Sequence, residues 1–363
     1  MDRRRFLQML NANGLGTVFP VSALSRLNST VINPAAPPPV RHDPTAAEAG
    51  LATWVIPKIG IVSVGGIGNS NLPTSVQRLR GLPYLSRTVA VHDDCIALQL
   101  MRADCKVLLG GSTSLPTPHR VQLVARPGFD EIAEALAGLD MVLLIAYMGC
   151  ATGTGLAPVV AEVLRDQDIL TLAFAVMPLA CEGVQKQQAA QTGIRELRPY
   201  VDALITCFTD VFDPDTDHVR ESSPAAQQAQ RVFKEVCSTI MTLVCRPGLV
   251  NIDFEDLRHI ILNQEGDCAF GFGSATSRED VQAAALRAID HPMLGRDRMQ
   301  QTSAALVSIG ASLTVLTLRD ISSALKTVRE QLPADAWVMY GAHHDPSLGD
   351  AITVSILANG QMS

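Results

Sequence analysis

The chain has 363 residues, which at ~150 residues per domain predicts two domains rather than one. Aspartate plus glutamate (36) exceeds lysine plus arginine (29), and this net charge of −7 argues against a nucleic-acid partner, which would need a basic face. With 47% hydrophobic and 18% charged residues, the composition excludes intrinsic disorder, collagen and coiled coil.

No segment is apolar enough to span a membrane. The longest apolar run, residues 141–148, is far shorter than the ~20 residues that a transmembrane helix needs. The eight cysteines show neither C-x-x-C spacing nor a Cys/His cluster with metal-ligand spacing. We therefore expect buried, reduced thiols in a cytoplasmic protein, with no metal held by protein side chains.

The N-terminus has two interpretations. Residues 3–8 (RRRFLQ) have the form of a twin-arginine export signal, but Asn11, Asn13 and Pro20 interrupt the apolar stretch that should follow. The alternative is a disordered basic start, and the proline-rich stretch 33–44 that follows is typical of an extended linker. We favour the second interpretation and expect residues 1–54 to be a disordered tail that stays attached.

From Lys58 onward, strand-like and helix-like patterns alternate. Apolar runs predict strands at 59–64, 88–91, 141–148, 169–176 and 203–207, and helical spacing predicts helices at 129–136 and 184–197. Such alternation, with nearly continuous apolar strands, predicts an α/β fold with a doubly wound, mostly parallel sheet. Ligands bind such sheets at the carboxyl ends of the strands.

A long helix separates the two predicted domains. Ser223 is a suitable N-cap and Pro224 a suitable first residue, and Pro247 and Gly248 end the pattern some 22 residues later. At 1.5 Å per residue, the helix is ~33 Å long. The domains are therefore placed at 55–220 and 248–363, with the helix at 221–247. The smaller α+β domain is predicted to contain strands at 269–275, 305–309, 337–341 and 352–357 and helices at 278–289 and 322–331.

The first motif is a glycine-rich turn after the first strand, Gly65-Gly66-Ile67-Gly68-Asn69. Such a turn lets backbone N–H groups approach a phosphate at a helix N-terminus. It is not a P-loop, because no Gly-Lys-Ser/Thr follows, and Asn71 stands at the last glycine of G-x-G-x-x-G. A tight strand–helix turn without a ligand is the alternative.

The second motif, Ala151-Thr152-Gly153-Thr154-Gly155, also follows a buried strand. We expect it to be a loop leading into a helix that has Pro158 in its first turn. Threonine hydroxyls would add donors to the backbone, and a side chain at Gly153 would fill the place of a phosphate. Two such loops at strand ends of one sheet predict a polyphosphate held from two sides.

The third motif, residues 251–256 (NIDFED), follows the long helix. Asp253 and Asp256 could orient a water molecule that attacks a phosphate. Alternatively, Asp253 caps the helix that carries Phe254 and Leu257, with Asp256 in its first turn.

Together these segments resemble the FtsZ family, the bacterial homologues of tubulin, over residues 57–358. The most specific matches are MGCATGTGLAPVV (148–160), RPGLVNIDFEDLRHI (246–260) and GFGSATSREDVQAAALRAIDHPML (271–294). The resemblance implies a GTPase-type nucleotide domain, a central helix and a smaller second domain. It also implies GTP or GDP as ligand, with Mg²⁺ bound through the nucleotide phosphates.

The resemblance assigns roles to individual positions. Asn251, Asp253 and Asp256 would complete the active site of a neighbouring subunit, so that hydrolysis needs a head-to-tail homopolymer. Glu182 would contact the ribose, and Lys186 stands where the family has an arginine. The remaining nucleotide contacts would be Gly65, Gly66, Gly68, Asn69, Ala151, Thr152, Gly153, Thr154, Gly155 and, at the base edge, Gln230.

Several positions depart from the family pattern. The γ-phosphate loop within 108–124 is shorter, and Ala226 replaces an aromatic residue that stacks on guanine. The family's Asn-Thr-Asp segment corresponds to residues 92–94 (HDD), and glycines are replaced at Val64, Ile67 and Cys150. The carboxylates are thus retained while the phosphate cradle is eroded, and slow or lost GTP hydrolysis is expected.

The sequence therefore predicts an FtsZ-like GTP-binding cytoskeletal protein that polymerises head to tail, in cell division or a related filament system. A filament or scaffold protein that does not hydrolyse nucleotide, or does not need it, is the alternative. A dinucleotide-dependent oxidoreductase would be supported by the first glycine turn alone. The chain ends soon after the last predicted strand, and we expect the family's C-terminal recruitment peptide to be absent.

Overall fold

A computed structural model of the chain describes residues 56–65, 84–109, 117–125, 128–212, 224–262, 267–276, 281–312 and 316–360. The predicted tail, residues 1–54, lies outside the described residues. The same holds for Gly66, Gly68 and Asn69 of the first glycine turn, so that only Gly65 of that turn is described.

In the described ranges, ten strands form one sheet in the order β3-β2-β1-β4-β5-β6-β7-β10-β8-β9. The strands are β1 (Ile59–Val64), β2 (Leu85–His92), β3 (Cys105–Leu108), β4 (Met141–Tyr147), β5 (Leu170–Val176), β6 (Ala203–Cys207), β7 (Asp267–Ala275), β8 (Ala304–Ala311), β9 (Trp337–His344) and β10 (Ile352–Gly360).

The α-helices of the described residues flank this sheet. They are α1 (Cys95–Leu100), α2 (Pro118–Ala125), α3 (Phe129–Leu136), α4 (Ala151–Asp166), α5 (Val184–Leu197), α6 (Pro224–Cys245), α7 (Phe254–Leu262), α8 (Val281–Ile289), α9 (Gly295–Gln300) and α10 (Leu318–Arg329).

The first six strands pair in parallel, as predicted. Strands β1 and β5 are buried along their whole length, and β4 is buried up to its last residue. Two apolar clusters cover the two faces: one includes α6 and the other includes α4. Because the strands are parallel, the turns that follow β1, β2, β4 and β5 all lie at one edge of the sheet.

The second half of the sheet is mixed. Strand β10 pairs antiparallel with β7 and β8, while β8 and β9 are parallel. In the described ranges, one residue pair, Ile205 with Cys268, joins this second half of the sheet to the parallel half. Helix α6 packs on both halves, and Phe233 of this helix lies 5.3 Å from Phe174 of β5, ring centre to ring centre. Burial of one such phenylalanine stabilises the fold by roughly 1.5–3 kcal/mol.

The structure corrects several predicted boundaries. Helix α4 begins at Ala151, so Pro158 lies inside it and not in its first turn. Helix α10 begins at Leu318 rather than at 322, because Thr317 caps it and exchanges hydrogen bonds with Asp320. Four elements of four to eight residues were not predicted because they are too short to show a clear period: α1, α2, α9 and β3.

Candidate functional site

The second glycine motif forms the first turn of α4 instead of a separate loop. The Cys150 thiol caps the helix by accepting a hydrogen bond from the Gly153 N–H, with 3.3 Å between sulfur and nitrogen. The Thr154 N–H donates to the Cys150 carbonyl at 3.1 Å, and the Gly149 N–H donates to Thr154 Oγ1 at 2.9 Å. The turn is therefore held by hydrogen bonds of its own at a helix N-terminus, a position whose polarity favours anions.

The glycines of this turn allow close packing. A Cβ at Gly153 would collide with the Tyr147 carbonyl oxygen, and a Cβ at Gly155 would lie 2.6 Å from the Pro118 carbonyl oxygen. The expectation that a side chain at Gly153 would fill the place of a phosphate is therefore wrong. The missing side chain serves the packing of α4 against the end of β4.

The structure brings the two glycine turns together. Gly65 follows β1 with a φ of +67°, a conformation that favours glycine. A Cβ on Gly65 would lie 2.8 Å from the Gly153 nitrogen and 3.3 Å from Thr152 Cγ2. Because it has no side chain, Gly65 packs directly against the first turn of α4. We call the site bounded by Gly65 and residues 149–155 the cradle.

The turn after β5 forms a third side of the site. Glu182 accepts a hydrogen bond from the Leu179 N–H at 3.0 Å and pairs with Lys186, whose Nζ lies 2.7 Å from Glu182 Oε2. A Cβ on Gly149 would lie 3.0 Å from the Lys186 carbonyl oxygen. This turn therefore lies directly against the cradle, and Lys186 supplies a half-exposed positive charge there.

Helix α6 contributes a buried polar group near its start. Gln230 Nε2 and the hydroxyl of Tyr147, the last residue of β4, are buried close to each other, and neither makes a hydrogen bond of good geometry in the described part of the chain. Burial raises the pKa of the Tyr147 hydroxyl. Buried polar atoms are normally paired, so two orphans at the strand end fit a ligand that supplies a polar edge, such as a nucleobase.

The turn after β2 contributes an acidic residue that was not among the predicted site residues. Asp93 is fully buried, and its Oδ1 accepts a 2.7 Å hydrogen bond from Thr152 Oγ1. His92 Nδ1 lies 3.2 Å from the same oxygen and accepts the Asp94 N–H at 2.9 Å. The sequence could have indicated Asp93 as a site residue, because it stands at the end of a predicted strand in the same sheet as the two strands that end in the predicted phosphate turns.

The carboxylate motif lies elsewhere. Asp253 and Asp256 stand at the start of α7, and Asn251 Oδ1 accepts a 2.6 Å hydrogen bond from the Gly248 N–H. These residues follow the far end of the 22-residue helix α6, which is ~33 Å long. Gln230 lies near the beginning of that helix. The structure therefore does not bring the three carboxylate-motif residues to the cradle of their own chain.

The described residues contain neither a candidate membrane span nor a candidate metal cluster. No helix in those ranges is both long and apolar enough to cross a bilayer. No three histidine, cysteine or acidic side chains among those residues are grouped so that they could hold a metal ion.

Comparison with known families gives two matches that cover both halves of the fold. Residues 58–209 match the Tubulin/FtsZ family, GTPase domain, and residues 266–362 match the FtsZ family, C-terminal domain. The first match contains the cradle, and the second contains strands β7 to β10.

Individual relatives agree with these matches. Cell division protein FtsZ 2 of Rhizobium meliloti is 31% identical over 316 residues, which are 85% of this chain and 90% of that protein. Cell division protein FtsZ of Caulobacter vibrioides is 31% identical over 318 residues, but the chain spans only 61% of that protein's length. The empty FtsZ dimer of M. jannaschii superimposes with a TM-score of 0.74 at 27% identity, over 85% of this chain and 89% of that one. A GTPγS-bound CetZ2 protofilament from Haloferax volcanii, with a TM-score of 0.69 at 20% identity over 84% and 93%, shares the fold.

Proposed function

The chain belongs to the FtsZ family of tubulin-like proteins, and on that premise we propose that it is a cytoskeletal GTPase whose active site is completed by a neighbouring subunit. The proposed nucleotide domain is residues 55–220, the connecting helix 221–247 and the C-terminal domain 248–363. Because the polymer would depend on GTP, we propose that it acts in the cytoplasm, in cell division or a related filament system.

We assign the phosphates of GTP or GDP to the cradle. The cradle lies at the N-terminus of α4, where the polarity of the helix favours an anion. Glu182 would accept a hydrogen bond from a ribose hydroxyl group. Lys186 would contact the phosphates with its ammonium group, which acts as a point charge. Gln230 would use its buried Nε2 at the base edge. In the part of the first glycine turn that lies outside the described residues, Gly66, Gly68 and Asn69 are proposed as further contacts.

The distance along α6 between the cradle and the carboxylate motif is the main support for a site shared between subunits. A cradle and a carboxylate motif at opposite ends of a helix ~33 Å long cannot act on one nucleotide within one chain. Stacking of identical subunits head to tail would bring Asn251, Asp253 and Asp256 of one chain to the cradle of the next. Such a heterologous contact repeats without closing and grows a filament.

The proposed chemistry is attack of water on the terminal phosphate. Asp256 or Asp253 of the neighbour would accept a hydrogen bond from the water and orient its oxygen for in-line attack, while Asn251 would help to hold it. Mg²⁺ would neutralise charge on the phosphate oxygens. Residues of the cradle would stabilise the departing diphosphate through N–H groups and Lys186.

Sedimentation tests this function. The full chain is centrifuged over a concentration series with GTP and Mg²⁺, with GDP, and without nucleotide. A critical concentration that appears only with GTP is expected. Equal pelleting in all three conditions would instead support the scaffold alternative, which the buried Asp93–Thr152 contact favours because it occupies part of the cradle.

A further inference from the structure

Asp93 is a buried carboxylate at the edge of the cradle. It follows β2, which pairs with β1, and its side chain has no exposed surface. The hydrogen bond that it accepts comes from Thr152, in the first turn of α4. One of the hydroxyl donors that a phosphate would use is therefore already engaged by an acidic group of the chain.

The charge of Asp93 also acts on the cap of that helix. Desolvation of the sulfur raises the pKa of the Cys150 thiol, although Cys150 as a whole residue is exposed, and the nearby Asp93 carboxylate raises it further. Cys150 caps the turn whose N–H groups form the cradle. The field of Asp93 therefore reaches the helix N-terminus, where a phosphate would be stabilised.

His92 does not neutralise the charge of Asp93 by donating a hydrogen bond from Nδ1, the ring nitrogen nearer to that carboxylate. Its Nδ1 accepts the Asp94 N–H and therefore does not donate to Asp93 Oδ1, although only 3.2 Å separates the two atoms. Its other nitrogen, Nε2, is buried and has no partner among the described residues. The turn after β2 thus presents an acidic group, together with a histidine that is not its donor, to the cradle.

We propose that Asp93 is an internal competitor for the phosphates of the nucleotide and thereby sets the affinity of this chain for GTP. The proposal rests on the proposed nucleotide-binding function. A carboxylate and a phosphate carry the same sign of charge, and like charges repel strongly where burial limits screening by water. To use the Thr152 hydroxyl, a phosphate must displace Asp93 from it.

Calorimetric titration of the full chain with GTP and with GDP, each in EDTA and in Mg²⁺, tests the proposal. Asp93→Asn keeps an oxygen that can accept the Thr152 hydrogen bond but removes the charge. We expect it to bind GTP at least about tenfold more tightly than the wild type in EDTA. The gain should be smaller for GDP, which carries less charge, and smaller in Mg²⁺, which screens the phosphates. Asp93→Thr, neutral and shorter, should change affinity in the same direction.

Asp166→Asn is the matched control. It removes the same charge from the opposite end of the 16-residue helix α4, ~24 Å away, and should leave GTP affinity unchanged. Because a gain in affinity does not arise from misfolding, and because melting curves of all variants are compared, the expected result has a single interpretation.

Three results would overturn the proposal. If the wild type binds GTP and Asp93→Asn binds it equally or more weakly in EDTA, the proposal fails while the proposed function stands. Weaker binding of Asp93→Asn in Mg²⁺ alone would identify Asp93 as a cation ligand instead. If neither wild type nor variants bind GTP, the proposed function fails as well.

Discussion

At the start of α7, the backbone N–H of Asp253 and that of Asp256 each face the side-chain carboxylate of the other residue. The Asp256 N–H donates to Asp253 Oδ1 at 2.7 Å, and the Asp253 N–H faces Asp256 Oδ2 at 3.4 Å. This reciprocal arrangement is a helix cap. The two roles considered from the sequence, helix cap and orientation of an attacking water molecule, are thus compatible. A cap also fixes the two carboxylates at the surface of the chain.

Replacement of Asp256 should separate hydrolysis from binding. In Asp256→Ala, we expect GTP turnover to fall at least about 100-fold, since a positioned general base contributes that much or more. Affinity for GTP should change little because the carboxylate serves the neighbour's nucleotide. Phosphate release and calorimetric titration measure the two quantities.

The neighbouring Glu255, which is exposed, provides the control for this substitution. Glu255→Ala removes the same charge from the same turn and should keep turnover close to that of the wild type. If Asp256→Ala loses binding in parallel with turnover, or if Glu255→Ala is equally inactive, the assigned role of Asp256 is wrong.

Much of the fold could be predicted because its strands and long helices carry strong apolar patterns. Helix α5, the strand β6 and the end of α6 lie where the sequence placed them. The start of α4 was misplaced because glycine and threonine are poor helix formers. There the packing of Gly153 and Gly155 against neighbouring backbone, which has no sequence period, outweighs propensity.

Substitution of Gly153 should destabilise the protein. A Cβ there would collide with the Tyr147 carbonyl oxygen, so Gly153→Ala is expected to lower the free energy of unfolding by roughly 2–4 kcal/mol. Urea denaturation measures it. Gly138→Ala is the comparison: Gly138 has a φ of +76° but open space around it, and should cost only about 1 kcal/mol. Equal losses would show that the collision is relieved by a small shift of α4.

Gln230 should contribute to recognition of the guanine base and little to the stability of the fold. Its buried Nε2 makes no hydrogen bond of good geometry in the described structure, although the Tyr147 hydroxyl lies nearby, so Gln230→Leu is expected to change the free energy of unfolding by no more than about 1 kcal/mol. GTP affinity and the preference for GTP over ATP should both fall. Gln228→Leu, at an exposed position of the same helix, is the control for helix effects. An unaltered preference in Gln230→Leu would remove Gln230 from the base pocket.

Stability should decrease in mild acid because of two histidines. Burial lowers the pKa of His291 to about 4, and burial likewise lowers that of His343 to about 4. A free histidine has a pKa near 6.5, so between about pH 6.5 and 4 the unfolded chain binds protons that the folded chain does not. The stabilisation is thus complete above about pH 6.5 and is lost as the pH falls towards 4.

Urea denaturation at several pH values checks this dependence. Each histidine should account for about 1–2 kcal/mol over this range, because both rings are only partly buried. His291→Phe preserves the ring packing against Phe272, whose centroid lies 4.7 Å away. It should reduce the pH dependence of the free energy of unfolding by the contribution of one histidine. An unchanged slope in this variant would contradict the assignment.

The site was only partly predictable from the sequence. Gly65, Thr152 and Gly153 were expected to meet because parallel strands end at a common edge, and in the structure they do. The Asp93–Thr152 hydrogen bond was not expected, since it joins side chains 59 positions apart and its partners carry no shared pattern. Whether these residues bind nucleotide stays a prediction.

Complementation between two inactive variants tests the shared active site most directly. Gly65→Ala should abolish GTP binding, because its Cβ would lie 2.8 Å from the Gly153 nitrogen and displace the first turn of α4, while its carboxylate motif stays intact. Asp256→Ala keeps the cradle but lacks the carboxylate. Circular dichroism verifies that both variants are folded before they are mixed.

If the site is shared between subunits, the equimolar mixture should hydrolyse GTP although neither variant does so alone. In a randomly mixed head-to-tail filament, up to about a quarter of the contacts pair an intact cradle with an intact carboxylate motif, and activity should approach that fraction of the wild-type rate. A mixture that co-sediments but shows no more activity than the sum of its components would contradict a site completed by the neighbouring subunit.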